Sequence, residues 1–572
     1  MFQVSSFMFQ VLGFFWFLRT TKITLFYLYL WQLKEYHIGR FLDHFRTEKG
    51  KRLFLNKLTA LKVILALFLL FGLSLFSPFD FYIFPFSAAR FNLSILFEFF
   101  VAIPILVLIL YIIESTWAFK NLFQKRLKKP VLTPKTILLI LAILALEILF
   151  LFFLFLYVRG KPKEAGVIWF TFFLLISDIL APIIVSIIVL CFQPLVVLAK
   201  NQIIKKARKA RERFENLLVI GITGSYGKTS TKEFLTEILS ERFNVLKTEA
   251  HQNSEMGVSQ CILNDLKKEH QVFVCEMAAY ERGAIKFLCD IARPQIGILT
   301  GINEQHQSLF GSQENIIKTK YELIESLPEK GIAVFNGNNS YCLELYKKTQ
   351  KIQKRIVSPQ ADQSLAWDLK AEEIEIKKAS IFFKVVQKDD KKVWFELNLL
   401  GKQNIENILM AAQTARELGM SLEEISGACK KIKPQEKTME LKKGKNGLFI
   451  IDDSYAANPQ GVISALDYLK VYSGKKIIIM PCLIELGKAS KRVHAKIGEK
   501  IGEVCDLAVI ITKDRFKEIK KGAISSGMKG ENVLFLEKPR QIFEELKPYF
   551  RSENVVLLEG RVPQKLINLL FK

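Results

Sequence analysis

Five apolar runs precede residue 200, near residues 5–31, 58–78, 95–118, 137–158 and 167–199. Each is long enough to cross a hydrocarbon core, which takes about 20 helical residues. One such run reads as a buried globular helix, but five in succession do not. Half of the 572 residues are hydrophobic and 12% are aromatic, more than one water-soluble core uses, and much of that excess lies in this stretch. The first 200 residues are therefore expected to form an α-helical membrane domain of about five transmembrane helices.

Basic residues set the expected topology. The connection from Lys34 to Lys57 holds seven Lys/Arg and that from Lys120 to Lys135 holds six, whereas Ser77 to Ser94 holds only Arg90. Loops rich in Lys/Arg stay on the cytoplasmic side. Five passes then place the amino terminus outside and everything beyond residue 200 inside, with the basic stretch KKARKARER from Lys205 to Arg213 just after the last run. Arg19 and Lys22 interrupt the first run, so its second half, ITLFYLYLW, reads either as part of a crossing or as an interfacial segment anchored by Trp31. Asp178 and Pro182 predict a kink in the last. No small-residue cleavage site precedes Arg19, so no cleaved signal peptide is expected. Glu98, Glu147 and Asp178 fall inside spans, either as functional groups or as helix-packing partners. The net charge of +25 is accounted for by anionic membrane lipid rather than nucleic acid. Eight cysteines without a Cys-x-x-Cys pair, nearly all beyond residue 200, argue against disulfides and a zinc ribbon.

The second half opens on different chemistry. GITGSYGKTSTKEF, Gly221 to Phe234, lies between a short apolar run, Leu217 to Ile220, and a segment with Phe234, Leu235, Ile238 and Leu239 at helical spacing. This is a strand, a glycine turn and a helix start. Positive φ at Gly224 and Gly227 turns backbone N–H groups toward an anion at the helix dipole. Lys228 offers a point charge for outer phosphates and Thr229 a hydroxyl for a magnesium ion. A glycine-rich turn with an exposed lysine is the plainer alternative, and the run Thr229, Ser230, Thr231 weighs against it.

Two further runs, QVFVCE and PQIGILTG, deliver Glu276, and then Glu304 with His306, to strand ends where open α/β sheets gather ligand-binding residues. The next helix carries Lys318 and Lys320, either of which reads on its own as a solvated helix face. Apolar LFII leads into DDSYAANP, putting Asp452 and Asp453 at a strand end and opening a helix at Asn458-Pro459. Beyond it, KIIIMP, LAVIIT, VLFLE and VVLLEG alternate with amphipathic helices, as in a parallel-sheet domain.

From about residue 217 onward, the stretches GSYGKTSTKE, HQNSEMGV, EMAAYERG, EQHQSLFGS, KTKYE, GKQNIENILMAA, DDSYAANP and IELGKASKRVH resemble the ATP-dependent Mur ligases of peptidoglycan synthesis. The resemblance implies a P-loop central ATP-binding domain (217–432) and a Rossmann-like C-terminal domain (433–572), both α/β, which follow the α-helical membrane domain (1–200) read from the apolar runs and a basic linker (201–216). It implies that Gly224, Ser225, Tyr226, Gly227, Lys228, Thr229 and Ser230 hold ATP. Asn404 and Asn407 would contact adenine from one helix face, and Asp452 and Asp453 lie in a segment that closes over the nucleotide. Thr229, Glu276, His306 and Lys320 would hold Mg2+, Lys320 matching a position carbamylated in the family. Asn253, Tyr455 and Asn458 would meet substrate.

The implied reaction forms an acyl phosphate on a muramyl peptide carboxylate and joins D-alanyl-D-alanine or a related amine, releasing ADP and phosphate. Three departures stand out. Thr300, Gly301, Ile302 and Asn303 reverse the family's Thr-Asn-x-Gly; Thr438, beside Lys437, replaces an arginine; and Glu559 replaces a lysine. Membrane spans stand where the family has a UDP-binding domain, so a UDP-linked and a lipid-linked acceptor are both open. The expected setting is a bacterial inner membrane with the catalytic half in the cytoplasm, near other wall-synthesis enzymes. A transporter with a regulatory ATP site and a pseudo-ligase scaffold remain as other readings.

Overall fold

The computed structural model describes residues 2–45, 47–54, 56–76, 93–124, 127–359, 367–455 and 457–571. The chain divides into two compact units, Met1–Leu198 and Ala199–Lys572. The expected loop from Ser77 to Ser94 with Arg90, and the side chain of Glu98, lie outside the described residues.

Among the described residues the regular structure of the first unit is helical: α1 (Phe2–Leu33), short α2 (Ile38–His44) and α3 (Glu48–Phe54), α4 (Lys57–Phe76), α5 (Leu93–Phe123), α6 (Pro134–Arg159) and α7 (Lys163–Cys191). Among the described residues four helical stretches are long and apolar enough to cross a membrane, Phe7–Leu33, Ala102–Phe123, Pro134–Arg159 and one within Ala165–Glu212. Helix α4 coincides with the second expected run and is not one of those four. Leu12 and Trp16 of α1, Leu69 of α4, Val107 and Tyr111 of α5 and Leu174 of α7 pack into one buried cluster. The outward faces are equally apolar, with Ile113, Leu141, Phe152, Phe153 and Ile183 exposed. Trp31 is not an interfacial anchor. It is buried, stacks on Phe41 at 3.9 Å between ring centroids, and donates from Nε1 to Ser186 Oγ at 3.1 Å.

The charges inside this unit have partners. Arg19 of α1 pairs with Glu114 of α5, and its Nη1 lies 2.5 Å from Asp178 Oδ1 of α7. Lys62 Nζ of α4 reaches Glu114 Oε2 at 2.5 Å and Asp178 Oδ2 at 2.8 Å. Two cations and two anions thus form a neutral ring tying four helices together. Glu147 sits apart from it and accepts from Thr24 Oγ1 at 3.1 Å.

The apolar run 167–199 is divided at Phe192, where α7 ends and α8 (Gln193–Glu212) begins. Pro194 explains the break, because it has no N–H to continue the hydrogen-bond ladder of α7 and suits the first turn of the next helix. Pro182 lies inside the continuous α7. The basic stretch is helical, and its Ile204 and Ala207 are buried in the core of the second unit. Arg211 donates to the carbonyls of Ala292, Phe214 and Leu217 at 2.8–3.1 Å.

The second unit holds two sheets. The larger has β1 (Leu218–Thr223), β2 (Val245–Lys247), β3 (Val272–Glu276), β4 (Ile296–Leu299), β5 (Ile332–Asn336), β6 (Gln353–Ser358), β7 (Leu369–Ile376), β8 (Ile381–Gln387) and β9 (Lys392–Leu397), in the order 2-3-1-4-5-6-7-8-9. It is parallel up to β7 and antiparallel beyond. The parallel strands are continuous apolar runs because helices cover both faces. The smaller sheet has β10 (Glu440–Lys443), β11 (Phe449–Asp453), β12 (Lys476–Met480), β13 (Leu507–Ile510), β14 (Val533–Phe535) and β15 (Val555–Glu559), in the order 10-11-15-12-13-14, with only β10 antiparallel. The runs KIIIM, LAVI, VLF and VVLLE are its strands β12 to β15.

Candidate active site

Strand β1 feeds directly into the glycine loop and helix α9 (Lys228–Ser240). Gly224 and Gly227 hold φ of +156° and +78°, and Gly227 caps the helix in the left-handed region. A Cβ on Gly227 would lie 2.6 Å from Asn407 Oδ1, so this turn admits no side chain.

A cavity of about 160 Å³ opens at the carboxyl ends of β1, β3 and β4. Gly224, Ser225, Lys228 and Thr229 line it from the loop, Glu276, His306 and Lys320 from the neighbouring strand ends and helix, and Asn253 and Tyr455 from its rim. Lys228 Nζ donates to the carbonyls of Gly224 at 2.8 Å and Ser225 at 3.4 Å. Burial lowers its pKa, and the Glu276 carboxylate partly opposes that. Lys320 is only 4% exposed; burial, with the Lys228 ammonium nearby, pushes it down to about 7. Lys318 is the solvated lysine of that helix, paired with Glu314 one turn back at 2.6 Å.

Glu276 accepts from Asn253 Nδ2 at 2.9 Å, and its Oε2 lies 3.8 Å from Lys232 Nζ. Lys232 is fully buried and donates to the Thr248 carbonyl at 2.7 Å. Reading the sequence overlooked it, although it sits four residues after Lys228, one helical turn along. His306 is lowered by burial and by the two lysines, against the pull of Glu485, whose Oε2 lies 2.5 Å from Nδ1. Glu304 turns away to pair with Arg492.

The remaining expected residues are placed as follows. Asn407 is buried against the loop and accepts from Thr231 Oγ1 at 3.2 Å, while Asn404 donates back to the Leu400 carbonyl at 2.8 Å. The ring of Tyr226 faces Gly301, where a Cβ would lie 2.3 Å from Cζ. The reversal at 301–303 has this cause: glycine must sit where Tyr226 packs, and Asn303 instead donates its N–H to Ser225 Oγ at 3.2 Å. Ser230, on the first turn of α9, does not line the cavity. Asn458 caps its helix through Gly461 N–H at 3.0 Å and accepts from Asn303 Nδ2 at 3.3 Å.

Asp452 and Asp453 are buried at the end of β11 and do not line the cavity. Lys442 Nζ lies 2.9 Å from Asp452 Oδ2, and Met439 N–H donates to Asp453 Oδ1 at 3.1 Å. Asp453 is in register with Glu559 of β15. Burial raises both carboxyls; the Asp453 carboxylate raises Glu559 further, whereas at Asp453 the Met439 N–H and a hydrogen bond from Glu559 oppose burial and the neighbouring Asp452 charge adds to it. With both folded pKa values above the ordinary carboxylate range, the stability they contribute is complete below that range and is lost as pH rises through the folded values. Glu559→Gln keeps a hydrogen-bond donor with no proton to lose. It is expected to match wild type near pH 4.5 and to exceed it in stability at pH 8. Thermal melts across that range check this, and a parallel decline in the variant contradicts the assignment of the pH dependence to Glu559.

Among the described residues no three His, Cys, Asp or Glu side chains gather as a protein-only metal site. The cavity's carboxylate and hydroxyl donors, Glu276 and Thr229, instead suit an ion that completes its shell with phosphate oxygens and water, as magnesium does at nucleotide sites.

Residues 222–415 match the Mur ligase middle domain, and residues 439–562 match the Mur ligase glutamate ligase domain. UDP-N-acetylmuramoyl-tripeptide--D-alanyl-D-alanine ligase of Escherichia coli is 30% identical over 282 residues, 49% of this chain and 61% of that one. Its namesake in Synechocystis is 29% identical over 299 residues, 51% of this chain and 60% of that one. The chain thus spans about three fifths of the length of these relatives. A crystal structure of MurF from Acinetobacter baumannii superposes with a TM-score of 0.58 at 25% identity, covering 65% of this chain and 79% of that one. MurF ligase from Thermotoga maritima, solved in complex with ADP, gives 0.56 at 26% identity, with 65% and 83% covered. The chain belongs to the Mur ligase family, carrying its middle and C-terminal domains behind an apolar helical region.

Proposed function

We propose that this protein is a membrane-anchored, ATP-dependent amide ligase that joins D-alanyl-D-alanine or a related amine to a muramyl peptide, UDP- or lipid-linked. The observation that carries the reading is the convergence of Lys228, Lys320, Glu276 and His306 on one cavity at the strand ends, with Tyr455 of the C-terminal domain on its rim. Gly224 to Ser230 would cradle the phosphates of ATP, and Asn407, beside that loop, would contact the adenine side. The acceptor carboxylate would attack the γ-phosphate, and the amine would then displace phosphate from the acyl phosphate. Lys228 would hold the transferring oxygens, in line with phosphoryl transfer being chiefly positioning and charge stabilisation. Thr229 and Glu276, with His306 and a carbamylated Lys320, would hold Mg2+. When bound, that ion would neutralise developing phosphate charge. Asn253, Tyr455 and Asn458 would orient the acceptor and amine.

The carbamate has physical support in Lys320 itself, whose buried amine, lowered to about 7, carries a substantial neutral and therefore nucleophilic fraction near pH 7. Lys320→Ala is expected to lower turnover by roughly 100-fold and to recover in part with added acetate, a small anionic oxygen donor. Full activity in the unsupplemented variant would remove Lys320 from the reaction.

Anchoring is supported by the exposed apolar faces of α5, α6 and α7, which water does not favour. The deciding experiment gives the purified chain ATP, magnesium, D-alanyl-D-alanine and either soluble or lipid-linked muramyl tripeptide. The acceptor that gains the dipeptide mass, with ADP released, identifies the substrate; ADP without either product contradicts the ligase reading.

A further inference from the structure

The ring of His306 is held from a domain other than its own. His306 lies on the loop after β4, in the middle domain, and Glu485 lies after β12, in the C-terminal domain. Glu485 Oε2 is 2.5 Å from His306 Nδ1, and the Glu485 side chain is 6% exposed. The same two loops are fastened at three more points. Ser308 N–H donates to the Glu485 carbonyl at 3.1 Å, Ala489 N–H donates to Gln307 Oε1 at 3.1 Å, and Arg492 pairs with Glu304. Tyr280 packs edge-on against the imidazole, 5.1 Å between centroids at 84°. Both partners have left-handed backbone, with φ of +65° at His306 and +65° at Glu485. Non-glycine residues persist in that region only where their surroundings hold them, and such residues cluster at functional sites.

We propose that Glu485 is a positioning residue for His306. Its carboxylate accepts a hydrogen bond from Nδ1–H, which leaves Nε2 as the unprotonated nitrogen and fixes the ring plane. The proposal rests on the reading of His306 as part of a divalent-cation site. Its further content is that the site is complete only when the C-terminal domain is docked. Tyr455, also from the C-terminal domain, lines the same cavity. Glu485 and Tyr455 thus bring the C-terminal domain to a cavity whose phosphate loop, Glu276 and Lys320 belong to the middle domain.

The test uses the full chain in detergent, with ADP and with Mn2+ as the probe, free Mn2+ being read by electron paramagnetic resonance. Glu485→Met and Glu485→Gln are close in size and differ in whether an acceptor remains for Nδ1–H. Glu485→Met is expected to weaken Mn2+ binding by roughly 10- to 100-fold, as loss of a group orienting a ligating histidine does. Glu485→Gln is expected to stay within about 3-fold of wild type, because its Oε1 still accepts. Turnover should follow the same order, the KM for the amine staying constant. Equal Mn2+ affinity in the two variants, whether both retained or both lost, overturns the positioning role and leaves the contact as a fastening between domains. A His306→Ala chain that binds Mn2+ like wild type overturns the underlying reading of His306 instead, so the two failures are separable.

Discussion

Lys228→Ala is expected to lower acceptor-dependent phosphate release by roughly 10²–10³-fold, the cost of removing one charge-stabilising donor from a preorganised site. The ammonium rests on the loop's own carbonyls, at 2.8 Å from Gly224 and 3.4 Å from Ser225, facing a cavity with no other loop cation on it. Lys228→Arg is expected to fare little better, because a planar fork cannot replace a compact point charge inside a tight turn. Stability should move the other way. Burial opposes the charge at this position, so the alanine variant should melt no lower than wild type. Phosphate release assayed beside a thermal melt checks both halves, and a wild-type rate in the alanine variant would sink the placement of the site.

The second large effect lies in the helical unit. Asp178→Leu is expected to cost about 3–5 kcal/mol, because it leaves Arg19 and Lys62 sharing one carboxylate in a buried setting. The double variant Asp178→Leu with Lys62→Met removes one charge of each sign and leaves the Arg19–Glu114 pair whole. It should recover most of the loss, so the two substitutions will be strongly non-additive. Trp16 and Trp31, both buried in this unit, give a fluorescence readout of its unfolding. Additive losses would show that the four charges do not act as a neutral ring.

These cases mark what the chain discloses as a string. The phosphate loop, Glu276 and His306 were legible because each sits close to a strand end or helix start, and local periodicity determines where those ends fall, whereas Lys320, in mid-helix, was singled out only by the family resemblance. The antiparallel strands β7 to β9 were not foreseen, although their alternating burial leaves a period-two trace. Lys232 and Glu485 were not legible as site residues. Lys232 reads as an ordinary helix lysine until folding buries it beside Glu276. Glu485 lies 179 residues from His306 and meets it only across two domains. Asp452 and Asp453, placed over the nucleotide by resemblance, are instead drawn into the C-terminal domain by Lys442, Met439 and Glu559.

The apolar runs by themselves determined the long helices described before residue 200, because an uninterrupted apolar run of about 20 residues fits a helix that satisfies its own backbone polar groups, whereas a spanning strand is about half that length. They also located the charges that do not belong there. What those charges do was decided only by tertiary structure: Arg19 interrupts a span when read along the chain, and closes a ring with Lys62, Glu114 and Asp178 when four helices pack. The reason is physical. Hydrophobic periodicity is a local property that a sequence carries openly, whereas the compensation of a buried charge depends on which distant residue arrives within about 4 Å of it.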